Sequence, residues 1–497
     1  MFFCIYRYIP LDITQIRRLV FALGVAGMVP SAYAADLEQV PLNGFPLKDP
    51  LPDSLTWRGI TFYGTIDIGY AYQTNGRPLG RAVSGLEFTP FTTTRNYTGQ
   101  SVSTIAHSGL EQSKIGVRFD EPLVWNWSAI GKLETGFDPI KFRLSDGCNS
   151  LIENAGVIYS QQTSNADSSR CGQPLNGEAY GGFRNPTYGT LTFGRQNSFQ
   201  FDSVVVYDPL TLSYAFSCTN AGSVSPQTAR WDNSAKYIYR NGPLHAGVMY
   251  SEGGETAGMF GKGFGFNVGG NYQGFSFDGV YMIEHGAVNL QTAANGVAGS
   301  RPLASNISDN ETWSLMGKYT YEFSGNSKNE GPRAWLTFFG GYTRFDQSNP
   351  RDAIFSGGTA GGYQLAVSGM LPDNDAYTTD RMLQFFWTGA KYQLSSGWSF
   401  TGAYYHVNQS SFVADHKPCI AGGASKPDCV GAFDQVSFLV DYQITKHVDV
   451  YSGITHARVE NGLASGFPGT PGAKFGMAGA ATSVETTSFM TGVRMRW

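Results

Sequence analysis

Lysine, arginine, aspartate and glutamate recur in this sequence in phase with apolar neighbours. Over residues 113–119, Lys114 and Arg118 alternate with Ile115, Val117 and Phe119; over 125–137, Lys132 and Glu134 alternate with Leu133 and Phe137. Lys236, Asp278, Glu284, Lys318, Glu322, Asp441, Arg494 and Arg496 hold the same polar phase in later segments. So many charges on one face cannot be packed in a dry core without partners, but they can line a wet surface that meets ions and polar solutes. Glu134 beside Lys132 reads as an ion-pair partner, while Lys114, Arg118, Lys132 and Lys236 read as wall charges. Catalysis is not expected. His245 and His406 show no acidic or nucleophilic companion in the sequence, and a general base must lie within hydrogen-bond reach of its target. Seven histidines without an HExxH pattern, and cysteines without CxxC, argue against zinc. The run GFGFNVGG from Gly263 lacks the strand–loop–helix setting of a phosphate cradle, so no cofactor is expected. An acidic chain with no basic cluster also argues against nucleic acid.

The elements that must carry these charges follow from their period. Residues 58–72 place Phe62, Ile66, Ile68, Tyr70 and Tyr72 on one face, with Thr61, Thr65, Asp67 and Gly69 on the other. Period two is the mark of a strand with unlike faces. Sixteen such segments run from 58–73 to 485–497, among them 110–120, 124–137, 275–284 and 311–323. Short turns at 120–122, 185–186, 241–243, 273–274, 395–397 and 445–446, with a looser one at 324–332, alternate with long polar connections. The chain has 497 residues, only 15% of them charged, 14% aromatic and 62 of them glycine; no apolar run beyond the N-terminus approaches the ~20 residues of a spanning helix. These features predict an all-β, transmembrane, antiparallel up-and-down barrel of about sixteen strands, with short periplasmic turns and long extracellular loops. Aromatic faces would meet lipid and lipopolysaccharide of a Gram-negative outer membrane, and a closed wall would leave no strand edge in hydrocarbon. Tyr70, Trp125, Trp127, Tyr272, Trp398 and Tyr442 fit aromatic girdles.

Arg17 and Arg18 precede the apolar stretch 19–29, and Ala32 and Ala34 follow it, the layout of a secretory signal over residues 1–34. Its removal takes three arginines and one aspartate, moving the formal charge from −4 to −6. Residues 35–57 form a Pro-rich lead-in, and 58–497 the barrel. Export places the remaining cysteines in an oxidising compartment; Cys148 with Cys171 and Cys419 with Cys429 bracket loops and are the candidate disulfides, with Cys218 left over.

Four stretches resemble the general diffusion porins of Gram-negative bacteria. They are YGTIDIG at 63–69, YGTLTFGRQ at 188–196, DYQITK at 441–446 followed by DVYSG at 449–453, and the alternating terminus Phe489, Thr491, Val493, Met495 and Trp497. The family usually ends in Phe, so Trp497 is a departure. The resemblance implies a homotrimer of sixteen-stranded barrels passing small hydrophilic solutes and ions. It implies a third loop, about 198–231, folded into the lumen as a constriction carrying Asp202, Asp208 and Arg230, and facing the basic wall. It also implies a subunit contact at Arg195 and a barrel-assembly signal, read by the insertion machinery, at Phe489, Val493, Met495 and Trp497. Asp202 also fits a helix cap and Asp208, before Pro209, the start of a turn. A narrower channel selective for sugars or anions is the alternative function.

Overall fold

The structure is a computed structural model that describes residues 55–74, 101–140, 142–144, 175–217, 229–253, 262–292, 303–323, 334–348, 359–360, 363–364, 372–373, 379–414, 417–418, 430–460 and 483–497. The proposed signal, most of the lead-in, and Cys148, Cys171, Cys218, Cys419 and Cys429 lie outside the described residues.

Period-two alternation does build strands, and sixteen of them close on themselves. The wall runs β1 (Ile60–Gln73), β2 (Val102–His107 and Lys114–Pro122), β3 (Ser128–Asp138), β4 (Ala179–Asn185), β5 (Gly189–Asn197) and β6 (Arg230–Asn241). It continues with β7 (Leu244–Glu252), β8 (Lys262–Tyr272), β9 (Phe275–Thr292), β10 (Leu303–Phe323) and β11 (Ala334–Ser348). The last five are β12 (Arg381–Leu394), β13 (Trp398–Gln409), β14 (Gly431–Gln443), β15 (Val448–Glu460) and β16 (Ser483–Arg496). Each strand pairs antiparallel with its successor, and β16 returns to β1 with Met495 opposite Ile66 and Thr491 opposite Tyr70. Closure leaves no unpaired wall edge. Among the described residues no helix is long and apolar enough to cross a membrane.

The strand bounds differ from the sequence reading in three places, each for a local reason. The turn expected at 120–122 falls later: Asp120 and Glu121 stay in the ladder opposite Ile130 and Ala129, and Val124–Asn126 makes the turn, with Trp125 and Asn126 at positive φ. Trp125 therefore sits on that turn at positive φ, 85% exposed, and not on a strand face. The strand expected from 110 begins at Val102 and is interrupted, because residues 108–113 leave the wall. Finally, β9 and β10 outrun the expected 275–284 and 311–323. A bulge after Glu284, with Gly286 at positive φ and His285 Nδ1 3.0 Å from Asp309 Oδ2, lets the hairpin continue to Thr292 and Leu303.

Outward positions are apolar and end in aromatics. Tyr188, Tyr272, Phe275, Tyr321 and Trp398 are exposed near the short turns, and Tyr70, Tyr250, Trp313 and Tyr404 near the long loops. Trp398 and Tyr442 pair with ring centroids 4.4 Å apart. The chain end is locked into this outer face. Trp497 exchanges backbone hydrogen bonds with Gly64 at 3.0 and 3.1 Å, and its indole lies where a Cβ on residue 64 would come within 2.3 Å of it. Gly64 is the space that lets a terminal Trp replace a smaller ring.

Candidate functional site

The inside of the barrel has two unlike sides. After β5 the chain turns inward as the helix α1 (Phe199–Tyr207), started by Ser198, whose Oγ accepts from the Phe201 amide at 3.1 Å. Ser198, not Asp202, is therefore the cap; Asp202 lies in the first turn, where a carboxylate is favoured by the exposed amides. The helix follows the wall. Gln200 bridges Ser314 Oγ (2.8 Å) and Thr343 Oγ1 (3.1 Å), Ser203 Oγ donates to Asp278 (2.7 Å), and Tyr207 pairs with Ser276 (2.7 Å). The Trp387 indole N–H donates to the Tyr207 carbonyl at 3.0 Å. Beyond the helix, the Phe216 carbonyl accepts from Gln435 and Ser437, both at 2.7 Å, and the Ala215 amide donates to the Gly109 carbonyl at 3.0 Å.

This path is greasy underneath. Phe199, Val204, Tyr207, Leu210 and Phe216 are buried against inward Met249, Met282, Met316, Phe385, Trp387, Tyr405 and Tyr451. The division into an oily outer face and a charged inner face is thus incomplete: from β7 to β16 the inner face is partly an apolar seat for the loop. A signal was present in β12, where Leu383, Phe385, Phe386 and Trp387 make both faces apolar, the pattern of a strand covered on both sides.

The charged side lies over β1–β6. Lys114, Lys132 and, across the lumen, Lys318 all point inward. Glu134, 4% exposed, accepts from Tyr63 Oη at 2.9 Å and sits 3.6 Å from Lys114 Nζ and 3.5 Å from Lys132 Nζ. Lys132 also pairs with Glu178. Lys236 Nζ lies 2.5 Å from Asp202 Oδ2 and 4.8 Å from the Phe199 ring, so one ion pair ties helix to wall. The Asp202 side chain keeps 43% of its surface open. Arg118 stacks over Tyr63, its guanidinium carbon 4.4 Å from the ring centroid, and Arg230 lies 5.2 Å from the Phe201 ring. Lys318 reaches the Val206 carbonyl at 3.3 Å.

One residue is placed otherwise than the sequence reading had it. Asp208 is fully buried, accepting from Tyr405 Oη (2.6 Å) and the Leu212 amide (2.7 Å); it anchors the loop and shows no charge to the lumen. Burial pushes its carboxyl above the usual range, against those hydrogen bonds. Arg195 is 7% exposed, with Nη1 2.6 Å from Asp232 Oδ1 and further bonds to the Asn176 and Gly177 carbonyls. His245 and His406 do have acidic companions, Asp278 and Asp434, each at 2.7 Å. Ser203 donates to Asp278 rather than to the imidazole, so the trio lacks the base-to-nucleophile order that hydrolysis needs. Phe489 and Met495 face outward beside Val493, in phase with Trp497.

One inward element had no sequence signal. Residues 108–113 leave β2 at Ser108, which adopts φ 61°, and are held by Asp67: Oδ2 accepts from the Leu110 (2.7 Å) and Glu111 (3.0 Å) amides, and Oδ1 from Tyr451 Oη (2.7 Å). Glu111 then meets Lys114 at 3.0 Å and Arg494 at 3.7 Å.

Comparison with known proteins agrees with this architecture. Residues 22–462 match the family described as Gram-negative porin. The fold is similar to that of the anion-selective porin from Comamonas acidovorans (15% identity, 88% of this chain and 99% of that chain, TM-score 0.51). It is also similar to OmpT, an outer membrane protein of Vibrio cholerae (13% identity, 88% and 97%, TM-score 0.50). Among curated proteins none matches the chain in sequence. A closed sixteen-stranded wall, a helix-bearing loop folded into its interior, and a family match over most of the sequence lead to one conclusion: the chain belongs to the Gram-negative porin family and is a diffusion channel of the outer membrane.

Proposed function

We propose that this porin works as a homotrimer in which each barrel passes ions and small hydrophilic solutes down their gradients, with the segment 198–231 as its constriction. The observation that carries this reading is the Asp202–Lys236 pair, which joins the inward helix to the charged wall at 2.5 Å. Asp202, Arg230, Lys114, Arg118, Lys132, Glu134 and Lys236 then set the field a permeant ion crosses, and such a field favours dipolar and charged solutes over apolar ones. Residues 1–34 act as the export signal, and Phe489, Val493, Met495 and Trp497 as the strand read by the insertion machinery. Lipid and lipopolysaccharide cover the outer aromatic faces. Reconstitution in a planar bilayer tests the reading: conductance rising in groups of three equal steps is expected, and pure folded protein that conducts nothing refutes it.

A second reading, a channel selective for one solute class such as sugars or anions, draws support from narrowing on two sides. The loop covers the wall from β7 onward, and residues 108–113 enter the lumen from β2. Saturable block of conductance by one solute class separates it from simple sieving.

A further inference from the structure

The outer face carries a second pattern besides its apolar one. Cross-strand partners share a face, and from β11 to β16 one outward row runs Tyr342, Phe386, His406, Asp434, Arg458, Glu485, each opposite the next. The row beside it, starting on β10, runs Trp313, Arg344, Gln384, Asn408. Rings and polar groups touch along these rows. The Tyr342 ring centroid lies 4.9 Å from that of Phe386 and 6.3 Å from that of Trp313, and Gln384 Nε2 donates to Tyr342 Oη at 3.0 Å. Tyr404 Oη donates to Asp434 Oδ1 at 2.6 Å; His406 Nδ1 lies 2.7 Å from the same oxygen, with Nε2 3.0 Å from Asn408 Oδ1. Arg344 donates to Asp346 through Nε (2.7 Å) and Nη2 (3.1 Å). Beside Arg344, an open cleft of about 890 Å³ passes between Phe266, Val268, Tyr281 and Trp313 and over Gly279, where an added Cβ would meet only the Val268 carbonyl, 3.8 Å away.

Charges on a lipid-facing phase are costly at hydrocarbon depth and tolerated only near the interface, so these rows lie at headgroup level. They belong to the long-loop ends of their strands. At the short-turn ends of the same strands Tyr321, Phe338, Tyr392 and Trp398 face outward, with no charge in phase among the described residues. Across the closure, the long-loop ends of β1 and β2 present Tyr70, Tyr72 and Ile105. Resting on the porin reading above, we propose that the belt over β10–β16 is a docking surface for lipopolysaccharide, with sugar rings on Tyr342, Phe386 and His406 and an acyl chain in the cleft beside Arg344. A sugar offers an apolar C–H face that lies on an aromatic ring, and a rim of hydroxyls that donate to carboxylates. Both contacts to Asp434 land on Oδ1 and its side chain keeps 40% of its surface open, so Oδ2 is available to a hydroxyl. Carboxylates outnumber guanidiniums along the belt, which suits a hydroxyl-rich head better than a bare phosphate. Arg344, its side chain 39% open, is the cation placed to meet the phosphate. A phospholipid has no ring to stack.

The test is native mass spectrometry of the full-length folded protein, stripped of lipid in detergent and titrated with lipopolysaccharide (lipid A with its inner-core sugars) or with phosphatidylethanolamine. Saturable retention of lipopolysaccharide, and none of phosphatidylethanolamine, is expected for the native protein. Asp434→Leu and His406→Leu each weaken retention about tenfold, the size of one hydrogen bond to a charged group, and the double variant loses it. Asp434→Asn keeps an acceptor for Tyr404 without the charge and falls only about threefold below native, which separates lost recognition from lost folding. Tyr72→Leu, outside the belt, leaves retention unchanged. Planar-bilayer conductance is read on every preparation and stays native, because none of these side chains faces the lumen. Equal retention of the two lipids, or native retention by the double variant, overturns the docking surface. So does a double variant that no longer assembles as the native protein does, since the belt is then a contact between copies. Native conductance in those cases leaves the porin reading intact; a native protein that does not conduct removes the reading beneath the proposal.

Discussion

Asp202 and Asp208 stand six residues apart on one loop, and the structure separates them sharply. Replacing Asp202 with Asn deletes the carboxylate that lies 2.5 Å from Lys236 Nζ and leaves the ammonium uncompensated on the lumen side. One unit charge about 7 Å from the path of an ion in water contributes about 0.6 kcal/mol, and screening at ~0.1 M salt roughly halves that. Acting with opposite sign on anion and cation, the remaining charge raises the chloride-to-potassium permeability ratio about 2.5-fold. Asp208→Asn removes a carboxyl that is fully buried and hydrogen-bonded to Tyr405 and Leu212. Its charge is neither exposed to water nor aimed at the lumen, so the ratio should not move. Reversal potentials of the two variants in a salt gradient, measured beside the native protein, decide the matter. Equal shifts at both positions, or none at Asp202, would show that the helix is not placed at the narrow part of the lumen.

Other outcomes follow from the same contacts. Phe216→Ala empties the far end of the loop seat, where the ring packs edge-on against Tyr451 at 6.3 Å and over Gly453, at a cost of about 3–5 kcal/mol; open-channel current noise and protease cutting within 198–231 should both rise with the barrel still folded, and unchanged noise and cutting would count against the seat. Because burial raises the Asp208 carboxyl, the docked loop binds its proton more tightly than the free loop does, so docking weakens as pH climbs from about 4 through the raised value and levels off above it. Hydrogen exchange of the loop amides should show that slope in the native protein and not in Asp208→Asn; the same slope in both would remove Asp208 as its source. Asp208→Ala, which abandons the buried donors that Asp208 accepts from, should loosen the loop by about 2–4 kcal/mol near pH 4 and by less above the raised value. Gly64→Val drives a side chain into the Trp497 indole and should cost about 1–3 kcal/mol in the unfolding midpoint, with an unshifted midpoint speaking against the terminal lock.

What the sequence determined by itself is what repeats along one strand. Alternation assigned sixteen strands, and the short and long connections assigned the up-and-down barrel, because parity and turn chemistry are local. It put Lys114, Lys132 and Lys318 on the inner face for the same reason. Only the tertiary structure decided what those inner faces meet. Parity says that Phe385, Trp387 and Tyr405 point inward but not that a helix lies on them, and it cannot distinguish Asp202 in the lumen from Asp208 sealed beneath the loop, since that depends on partners about 200 residues away, Tyr405 among them. The inward bend of 108–113 is likewise invisible, because it is held by Asp67 of the neighbouring strand, itself bonded to Tyr451 from across the closure of the barrel. Charge position along a strand is a property of neighbouring residues; charge compensation is a property of the closed wall, and it is compensation that sets the field in the channel.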